Sequence, residues 1–382
     1  MRFSHVLPGQ YNLSDLNAPI TIGVFTGEGI GSEVIPAALA VLDTLTEFSE
    51  RPIIVRHGCL IGKDAMVIHG KSLTDEAIGF CEDIFSQGGA ILCGPGGERF
   101  VYELRARFDL FCKFTPLVPL AALADTGAIR PEYLQSVDIV AVRENTSGLY
   151  FGDHGLSEAP SGSRSAYHHF QYAEEHVSRI LQVAIDLAQT RRGRLCVTTK
   201  PGGIPSISGL WADCALRLSI GKNVDVNVLE IDNAVYQLIA NAAEFDVVVS
   251  PNMFGDVLAD CGSLLLGSRG VSFSGNFSPE RWAVFQTGHG AAHDIAGKNL
   301  ANPVGQILSL AMLLRESGLW EYGAAAIEAA VEQTLSMGYR TADIASSTSQ
   351  VVGTEELTER ICVILKQQLT ANSAESCVPV YC

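Results

Sequence analysis

Residues 245 to 270 read FDVVVSPNMFGDVLADCGSLLLGSRG, and this stretch indicates the fold class more clearly than any other. Its valines predict a buried strand at 245 to 250, which a Pro-Asn-Met-Phe-Gly turn separates from a helix at 256 to 266. The chain opens in the same order, with a buried strand at 20 to 25, a glycine turn and a helix that Ser32 can cap. Repeated strand-turn-helix units are typical of α/β proteins.

The rest of the chain continues this alternation. Further strands are predicted at residues 90–93, 137–142, 194–199 and 224–231, and further helices at 173–189, 232–241, 302–315, 324–337 and 355–369. A length of 382 residues favours about two domains, and no linker rich in Pro, Gly or Ser divides them. We therefore expect two domains that share a continuous sheet, with disorder in the last few residues.

Charge and hydropathy exclude several classes of partner. The net charge of −16 argues against nonspecific binding to nucleic acid or to an anionic membrane, because both attract basic patches. No apolar run approaches the roughly 18 to 20 residues that span a bilayer. The N-terminal segment lacks the apolar core of a signal peptide, so a cytoplasmic protein is expected.

Ten cysteines could indicate disulfides or a metal site. They form no C-x-x-C pair, so buried, reduced thiols are the simpler interpretation. Cys377 and Cys382, in the C-terminal tail, are predicted to be exposed, and the sequence assigns no role to them.

Three aspartates are candidates for a metal site. Asp256 and Asp260 lie four residues apart at the start of a predicted helix, so both point to one face. Asp232 opens another predicted helix after a strand. Helix capping is the structural alternative for each, because a carboxylate at a helix N-terminus gains from the dipole. Together, the three carboxylates favour Mg²⁺ or Mn²⁺, which prefer hard oxygen ligands.

Several other side chains could act on an acidic substrate. Arg105, Arg107 and Arg143 could bind carboxylates by paired hydrogen bonds, although surface salt bridging is the stronger interpretation for Arg107. Lys200 ends an apolar strand, where a desolvated lysine could serve as a base, and Tyr150 could donate a proton.

Two segments rich in small residues could contact a nucleotide. Residues 289 to 292, HGAA, followed by Asp294, could form a backbone-lined nucleotide loop or an ordinary loop. Residues 27 to 31, GEGIG, depart from the G-x-G-x-x-G fingerprint, so they do not predict a Rossmann fold. No Walker A, H-E-x-x-H or G-x-S-x-G motif occurs in the sequence.

In their order along the chain, these segments resemble the β-decarboxylating dehydrogenases, the isocitrate and isopropylmalate dehydrogenase family. The similarity extends from about residue 20 to residue 369, and isopropylmalate dehydrogenases are the most similar members. It is carried by TIGVFTGEGIGSEV, LRARFDLFCKFTPL, RENTSGLYFG, VTTKPGG, IDNAVYQL, NMFGDVLADCGSLLLGSRG, HGAAHDIAGKNLANP and RTADI. The pairing of NMFGDVLAD with HGAAHDIAGKNLANP is highly specific.

The resemblance implies a role for each matching residue. It assigns the metal to Asp256, Asp260 and, from a second subunit, Asp232; catalysis to Tyr150 and to Lys200 of that second subunit; and substrate carboxylates to Arg105 and Arg143. It assigns the cofactor to Glu98, His289, Gly290, Ala291, Ala292, Asp294, Ile295 and Asn302. The implied reaction is metal- and NAD-dependent oxidation of a malate-type 2-hydroxy acid with loss of its β-carboxylate. In it, Lys200 takes the hydroxyl proton and Tyr150 protonates the enol.

The implied cofactor is NAD. Asp294 would accept hydrogen bonds from the ribose hydroxyls and repel a 2′-phosphate. NADP-using relatives have lysine and tyrosine where this chain has Asp294 and Ile295. The implied fold, which is not a Rossmann fold, has a large cofactor-binding domain from residues 1–110 and 257–382. Residues 111–256 form a small domain with the dimer interface, and a homodimer shares its active sites.

The chain departs from the family at the substrate arginines. Where the family has A-N-L-R-P, this chain has Cys-Lys-Phe-Thr-Pro at 112 to 116, so Thr115 replaces an arginine. Lys113 lies two residues away, on the same face of a strand, and is hypothesised to replace part of the lost charge. Smaller departures are Glu28 in place of aspartate and His293 in place of proline.

The positions that select the substrate side chain favour an alkyl malate. Val101 stands where isocitrate enzymes have asparagine, and Tyr102 narrows the pocket or offers a hydroxyl. Arg99 is expected to point outward. The first expectation is 3-isopropylmalate or a related substituted malate, and the alternative is a tartrate/malate or homoisocitrate type. The loss of an arginine at Thr115 also raises an alternative of another class, a non-catalytic regulatory subunit of a hetero-oligomer.

Overall fold

The computed structural model describes residues 2–9 and 18–376, with side chains up to residue 371. The predictions of exposure for Cys377 and Cys382 and of disorder in the tail lie outside the described residues. Within the described ranges, a large mixed sheet is flanked by helices, which confirms the predicted α/β class.

The strands are β1 (Ile20–Phe25), β2 (Ile53–His57), β3 (Ala90–Cys93), β4 (Cys112–Leu117), β5 (Ile139–Glu144), β6 (Asp153–Glu158), β7 (Arg164–His169), β8 (Arg194–Thr199), β9 (Asp225–Glu230), β10 (Val247–Ser250), β11 (Phe273–Phe277), β12 (Ala283–Thr287), β13 (Tyr339–Arg340) and β14 (Gln350–Val351). The α-helices are α1 (Gly31–Thr46), α2 (Gly62–His69), α3 (Asp75–Ser86), α4 (Phe100–Arg107), α5 (Glu174–Gln189), α6 (Pro205–Leu218), α7 (Ile231–Ala240), α8 (Asn252–Gly262), α9 (Val304–Glu316), α10 (Glu321–Ser336) and α11 (Thr354–Ser376).

Ten strands form one sheet in the order β2-β1-β3-β12-β11-β4-β5-β10-β8-β9. The block β2-β1-β3-β12 is parallel, and so is the block β5-β10-β8-β9. The blocks are joined through β11 and β4, which run antiparallel to each other and to their outer neighbours. The predicted continuous sheet is therefore confirmed, whereas the domain boundaries near residues 110 and 256 stay a prediction.

The parallel strands form where the sequence carries unbroken apolar runs. Every residue of β1, β3 and β10 is buried. Helices cover both faces of a parallel sheet, so its strands need apolar side chains on both sides. This is why the valine run at the start of the quoted stretch predicts a strand correctly.

The start of α8 differs from the sequence prediction. Residues 252 to 255, predicted as a turn, form the first helical turn, and the N-cap is Pro251. Asn252 is buried, and its side chain donates a hydrogen bond to the carbonyl of Ser147 at 2.8 Å. This tertiary contact outweighs the weak helix propensity of asparagine. Asp256 consequently lies in the second turn, where capping does not explain it, and the capping alternative is wrong for Asp256.

The predicted cap of α1 is also wrong. The helix begins at Gly31 with Ile30 as its N-cap, and no side chain caps it. The hydroxyl of Ser32 instead donates to the carbonyl of Gly29 at 3.0 Å. The glycine turn before the helix is therefore shorter than expected.

Residues 2–9 precede the sheet and pack against it. The carboxylate of Glu316, at the end of α9, accepts hydrogen bonds from the backbone N–H groups of Phe3 and Ser4 at 2.9 and 2.8 Å. Arg281 donates to four backbone carbonyls of this segment. The ring of Phe3 packs on β4 from the side of the core.

Other sequence expectations can be compared with the same structure. The eight described cysteines are free and five of them are buried, as the reduced-thiol interpretation predicts. No helix among the described residues has the length and apolar character needed to cross a membrane. β6 and β7 form a separate antiparallel hairpin that the sequence did not predict, because its residues are mostly polar and exposed.

Candidate active site

β4 and β5 bring two cations side by side at the junction of the sheet. Lys113 pairs with Arg143 across these strands. Residues paired in this way lie on the same face of the sheet, and like charges placed directly opposite each other repel. Both are buried, with Lys113 8% and Arg143 4% exposed. The pair therefore requires nearby anions.

Asp256 on α8 supplies one of these anions. Its carboxylate forms an ion pair with Arg143 and accepts a hydrogen bond from the hydroxyl of Tyr150 at 2.9 Å. Burial raises the pKa of Asp256, but the charges of Arg143 and Lys113 outweigh it, and the pKa lies below its ordinary value. Asp256 is therefore an ionised carboxylate at neutral pH.

Tyr150 is held beside this carboxylate as a proton donor. Burial, followed by the negative charge of Asp256, raises the pKa of the Tyr150 phenol. The guanidinium carbon of Arg143 lies 5.6 Å from the centre of its ring. The phenol therefore keeps its proton at neutral pH, as a general acid requires.

Arg105 on α4 is a buried cation without an anionic partner. It is 5% exposed, and its guanidinium forms no hydrogen bond or ion pair with any residue that the structure describes. The guanidinium carbon of Arg105 lies 5.7 Å from the centre of the Tyr102 ring. Burial, followed by the charge of Arg143, lowers the pKa of Arg105. A buried charge without a partner is costly, which suits a position that a ligand completes.

The buried part of the site has an excess of positive charge. The buried cations Arg105, Lys113 and Arg143 lie around the half-buried carboxylate of Asp256, and these four side chains carry a net charge of about +2 when Lys113 is protonated. Burial, followed by Arg105 and Arg143, lowers the pKa of Lys113 to about 7. An anion with two carboxylates would neutralise the cluster and favour the charged lysine.

The helix α4 places the predicted side-chain selectors next to this cluster. The ring of Tyr102 makes an edge contact with that of Tyr150, with centres 5.2 Å apart, and Val101 beside it is half-buried. Arg99 is exposed, as predicted, and donates to the carbonyl of Tyr150 at 3.2 Å. Thr115 is buried on the same strand as Lys113 and contributes no charge.

Asp260 links the cluster to the predicted cofactor loop. It lies one helical turn after Asp256 on α8 and is half-exposed. Its carboxylate pairs with Arg269 at 2.9 Å, and Arg269 also donates to the carbonyl of Gly288 at 3.5 Å. The next residue is His289, so the metal and cofactor segments implied by the resemblance are neighbours.

Lys200 and Asp232 form a second, separate group. The amine of Lys200 pairs with Asp232 at 2.8 Å and with Glu230 at 2.7 Å. The hydrogen bonds that Lys200 donates to Asp232 and then to Glu230 raise its pKa. The expectation of a desolvated lysine is therefore wrong for a single copy of the chain, in which Lys200 is an ion-paired ammonium.

The carboxylates fit a divalent cation only in part within one chain. Asp256 and Asp260 present hard oxygen donors one turn apart on α8. Among the described residues, no group of three acidic, histidine or cysteine side chains could hold a metal ion. Within one chain, Asp256 and Asp260 therefore supply two of the three carboxylates that the resemblance implies.

The predicted cofactor segments carry two marks of a binding loop. Burial lowers the pKa of His289, and its buried Nε2 atom has no hydrogen-bond partner among the described residues. Glu98 and Ala292 have φ angles of 53° and 41°, which non-glycine residues adopt only at a cost. Backbone strain of this kind concentrates at functional sites.

The remaining residues that the resemblance assigns to the cofactor differ in their exposure. Gly290 and Asp294 are exposed, Ala291 and Ile295 are half-buried, and Asn302 is buried. The side chain of Asn302 donates to Asp343 at 3.0 Å and accepts from the N–H of Val304. Asn302 therefore also has a structural role at the start of α9.

Sequence reasoning missed the residues that orient the site. Asn252 accepts two hydrogen bonds from Arg143, at 3.0 and 2.8 Å, and Arg269 joins Asp260 to the cofactor loop. Asp343 accepts hydrogen bonds from Asn302 and Ser268. All three lie inside the motifs NMFGDVLADCGSLLLGSRG and RTADI, whose polar residues were the available signal.

Comparison with known proteins gives a consistent result. The sequence profile described as isocitrate/isopropylmalate dehydrogenase matches residues 21–361. The chain is 37% identical over 366 residues to a 3-isopropylmalate dehydrogenase of Desulfitobacterium hafniense, covering 90% of this chain and 99% of the relative. It is 35% identical over 361 residues to a 3-isopropylmalate dehydrogenase of Acinetobacter baylyi, covering 90% and 98%.

Solved structures share the fold. The structure of isocitrate dehydrogenase from Methylococcus capsulatus is similar with a TM-score of 0.80 and 26% identity, covering 91% of this chain and 100% of that chain. The structure of the TT0538 protein from Thermus thermophilus is similar with a TM-score of 0.78 and 29% identity, covering 90% and 68%.

Proposed function

The chain belongs to the isocitrate/isopropylmalate dehydrogenase family and is a decarboxylating dehydrogenase, and we propose that it oxidises a substituted malate with NAD and a divalent cation. The first candidate substrate is 3-isopropylmalate. The observation that carries the proposal is the buried excess of positive charge around Asp256. A malate core brings two carboxylates to a cluster that lacks two negative charges.

The three cations would bind different parts of the substrate. No carboxylate among the described residues forms an ion pair with Arg105, which can receive one substrate carboxylate through its fork of N–H groups. Lys113 and Arg143 face the same region from paired positions on β4 and β5. The guanidinium that the family carries at Thr115 is absent, and Lys113 is proposed to replace part of its charge, with an ammonium that acts as a point charge rather than as a fork.

Tyr150 protonates the carbon from which the β-carboxylate has left. Loss of the β-carboxylate leaves a carbon that must take up a proton, and the hydroxyl of the half-buried Tyr150 is the donor beside Asp256. Asp256 accepts this hydrogen bond and orients the hydroxyl. Tyr102 makes an edge contact with the same ring and would cover that side of it.

The metal site is proposed to form between two copies of the chain. Asp256 and Asp260 of one copy and Asp232 of the other would hold Mg²⁺ or Mn²⁺, which stabilises negative charge on substrate oxygens when bound. Lys200 is ion-paired to Asp232 in the same chain, so both side chains would lie at the partner copy's site together. A homodimer would thus bring Lys200 next to the substrate. There Asp232 would leave the ion pair to bind the metal, and Lys200, once it has lost its own proton to solvent, would accept the hydroxyl proton.

The nucleotide is proposed to lie along the loop from His289 to Ile295. NAD accepts the hydride when bound. The unpartnered Nε2 of His289 and the exposed backbone of Gly290 are available to its adenosine half. Asp294 is exposed next to them and would repel a 2′-phosphate, which favours NAD over NADP.

The substituent of the malate is proposed to be apolar. Val101 and the ring of Tyr102 offer apolar surface beside Tyr150, and the one nearby guanidinium outside the cluster, Arg99, is engaged with a backbone carbonyl. A γ-carboxylate, as in isocitrate, would find no free cation there among the described residues.

The test is a substrate panel with the purified chain. NADH formation is measured with 3-isopropylmalate, isocitrate, homoisocitrate, malate and tartrate, each with NAD or NADP and with Mg²⁺ or Mn²⁺. Asp256→Asn should abolish turnover, and Asp43→Asn, an exposed carboxylate on α1, is the matched control. Absence of turnover with every acid, together with tight association with an active homologue, would refute the proposal and favour the regulatory-subunit alternative.

A further inference from the structure

Two departures from the family pattern meet in the structure. Glu28 stands where the family has aspartate, and His293 stands where it has proline. They lie far apart in sequence, yet Oε2 of Glu28 is 3.6 Å from Nε2 of His293.

Glu28 is a buried carboxylate with one oxygen engaged and the other open. It is 3% exposed, and Oε1 accepts hydrogen bonds from the backbone N–H groups of Gly97, at 2.9 Å, and Lys63. Oε2 is buried and has no hydrogen-bond partner among the described residues. The half-exposed ring of His293 is therefore the group that can offset its charge.

The surroundings of Glu28 are built to hold a longer side chain than aspartate. A Cβ added at Gly62 would lie 1.9 Å from Oε1 of Glu28, and one at Gly97 would lie 2.8 Å from Oε2. Both glycines therefore leave the space that the carboxylate fills. The carboxylate joins the start of α2, the segment after β3 and the loop that carries His293.

The loop from 289 to 295 already rests on the start of α1. The N–H of Ile30 donates to the carbonyl of Ala291 at 2.9 Å. Glu33 accepts hydrogen bonds from the N–H groups of Gly297 and Asn299, both at 2.8 Å. These bonds hold the loop at Ala291 and the chain just after it, whereas Glu28 approaches the loop at His293.

We propose that Glu28 and His293 form a positioning pair that sets the spacing between the two halves of the cofactor site. One half is the loop from 289 to 295. The other half follows Gly97, whose N–H binds Glu28 and whose next residue is Glu98. The proposal rests on the proposed function, because it assumes that a nicotinamide dinucleotide bridges these segments.

A positioning role predicts an effect on binding that differs from the effect on stability. Glu28→Gln keeps an oxygen for the two backbone donors and removes the buried charge, so the unfolding temperature should not fall. NAD should nevertheless bind about fivefold more weakly, because the loop loses the charged contact between Glu28 and His293. Because Asp294 follows His293 directly in the chain, the preference for NAD over NADP should fall as well.

The experiment is a double-mutant cycle read out by nucleotide binding. Dissociation constants for NAD and NADP are measured by calorimetric titration for the unmodified chain, Glu28→Gln, His293→Ala and the double variant. We expect each single variant to weaken NAD binding about fivefold and the double variant to be no weaker than either, a coupling of about 1 kcal/mol. His69→Ala, an exposed histidine on α2, is the matched control.

The outcomes separate this inference from the proposed function. Additive effects, unchanged NAD binding, or a loss of affinity that follows a loss of unfolding temperature would overturn the positioning pair. Any of these leaves the proposed function standing, provided that the unmodified chain binds NAD. If the unmodified chain binds neither NAD nor NADP, the proposed function fails and the inference fails with it.

Discussion

Replacing Lys113 by methionine should change stability and substrate affinity in opposite directions. Methionine has a similar length and no charge, so it removes the cation and keeps most of the packing. Lys113 is buried opposite Arg143 and has no ion-pair partner among the described residues. Its charge therefore works against folding in the free protein and in favour of binding once an anion arrives.

The size of the effect on folding follows from the lowered pKa. A pKa of about 7 in the folded protein, against 10.5 ordinarily, corresponds to at most about 5 kcal/mol of destabilisation. This penalty is fully present below pH 7 and disappears as the pH rises through 10.5, because the unfolded chain then also holds a neutral lysine. Local relaxation reduces it, and we expect Lys113→Met to stabilise the protein by about 1–3 kcal/mol at pH 7.

The effect on binding has the opposite sign. A charge-assisted hydrogen bond contributes about 1.5–3 kcal/mol, so the substrate dissociation constant should rise about 10- to 100-fold at pH 6. A dianion binds the protonated lysine better, so affinity in the unmodified chain should weaken as the pH rises above about 7. Lys113→Met should lack this dependence.

The assay combines thermal unfolding with substrate KM from pH 6 to pH 9. Lys113→Arg, which restores a guanidinium, should keep a low KM at every pH, and Lys71→Met at an exposed lysine should change neither quantity. A Lys113→Met protein with an unchanged KM and an unchanged pH profile would refute the reasoning, even if the unfolding temperature rose.

Three further predictions concern other parts of the site. Tyr150→Phe removes the proton donor at Asp256 and should lower kcat about 10²- to 10⁴-fold while the NAD dissociation constant stays the same; an equal loss in both would contradict its role. Asp294→Lys should shift the ratio of kcat/KM from NAD towards NADP, and an unchanged ratio would show that Asp294 does not contact the ribose. Mixing inactive Lys200→Met with inactive Asp256→Asn should restore about a quarter of the activity, because half of the random dimers contain one intact site; no recovery after subunit exchange would argue against sites shared between copies.

The sequence predicted the buried strands better than the connections between them. Apolar runs at β1, β8 and β10 locate those strands within two residues, because burial on both faces leaves a continuous signal. The hairpin β6–β7 and the helix α4 carry polar or mixed residues whose order follows from tertiary contacts. The turn predicted before α8 was wrong because the hydrogen bonds of Asn252 are formed by residues distant in sequence.

The site was predictable in its members and less so in their arrangement. The resemblance placed Arg143, Tyr150 and Asp256 in one site, and the structure brings these three into contact. It gave no indication that Arg105 would lack a partner or that Glu28 would reach His293, because both depend on how separate segments pack. The same limit applies to Lys200, whose surroundings depend on a second copy of the chain.

The segment from 2 to 9 has a practical consequence for anyone who trims this chain to the family pattern. A truncation at Ile20 would match the shared fold and would remove two of the donors that bind the carboxylate of Glu316. Burial already raises the pKa of Glu316, so the shortened protein would carry a carboxyl group that is harder to ionise within its core. Purification tags are therefore better placed elsewhere, and the full N-terminal segment belongs in any preparation used to measure stability.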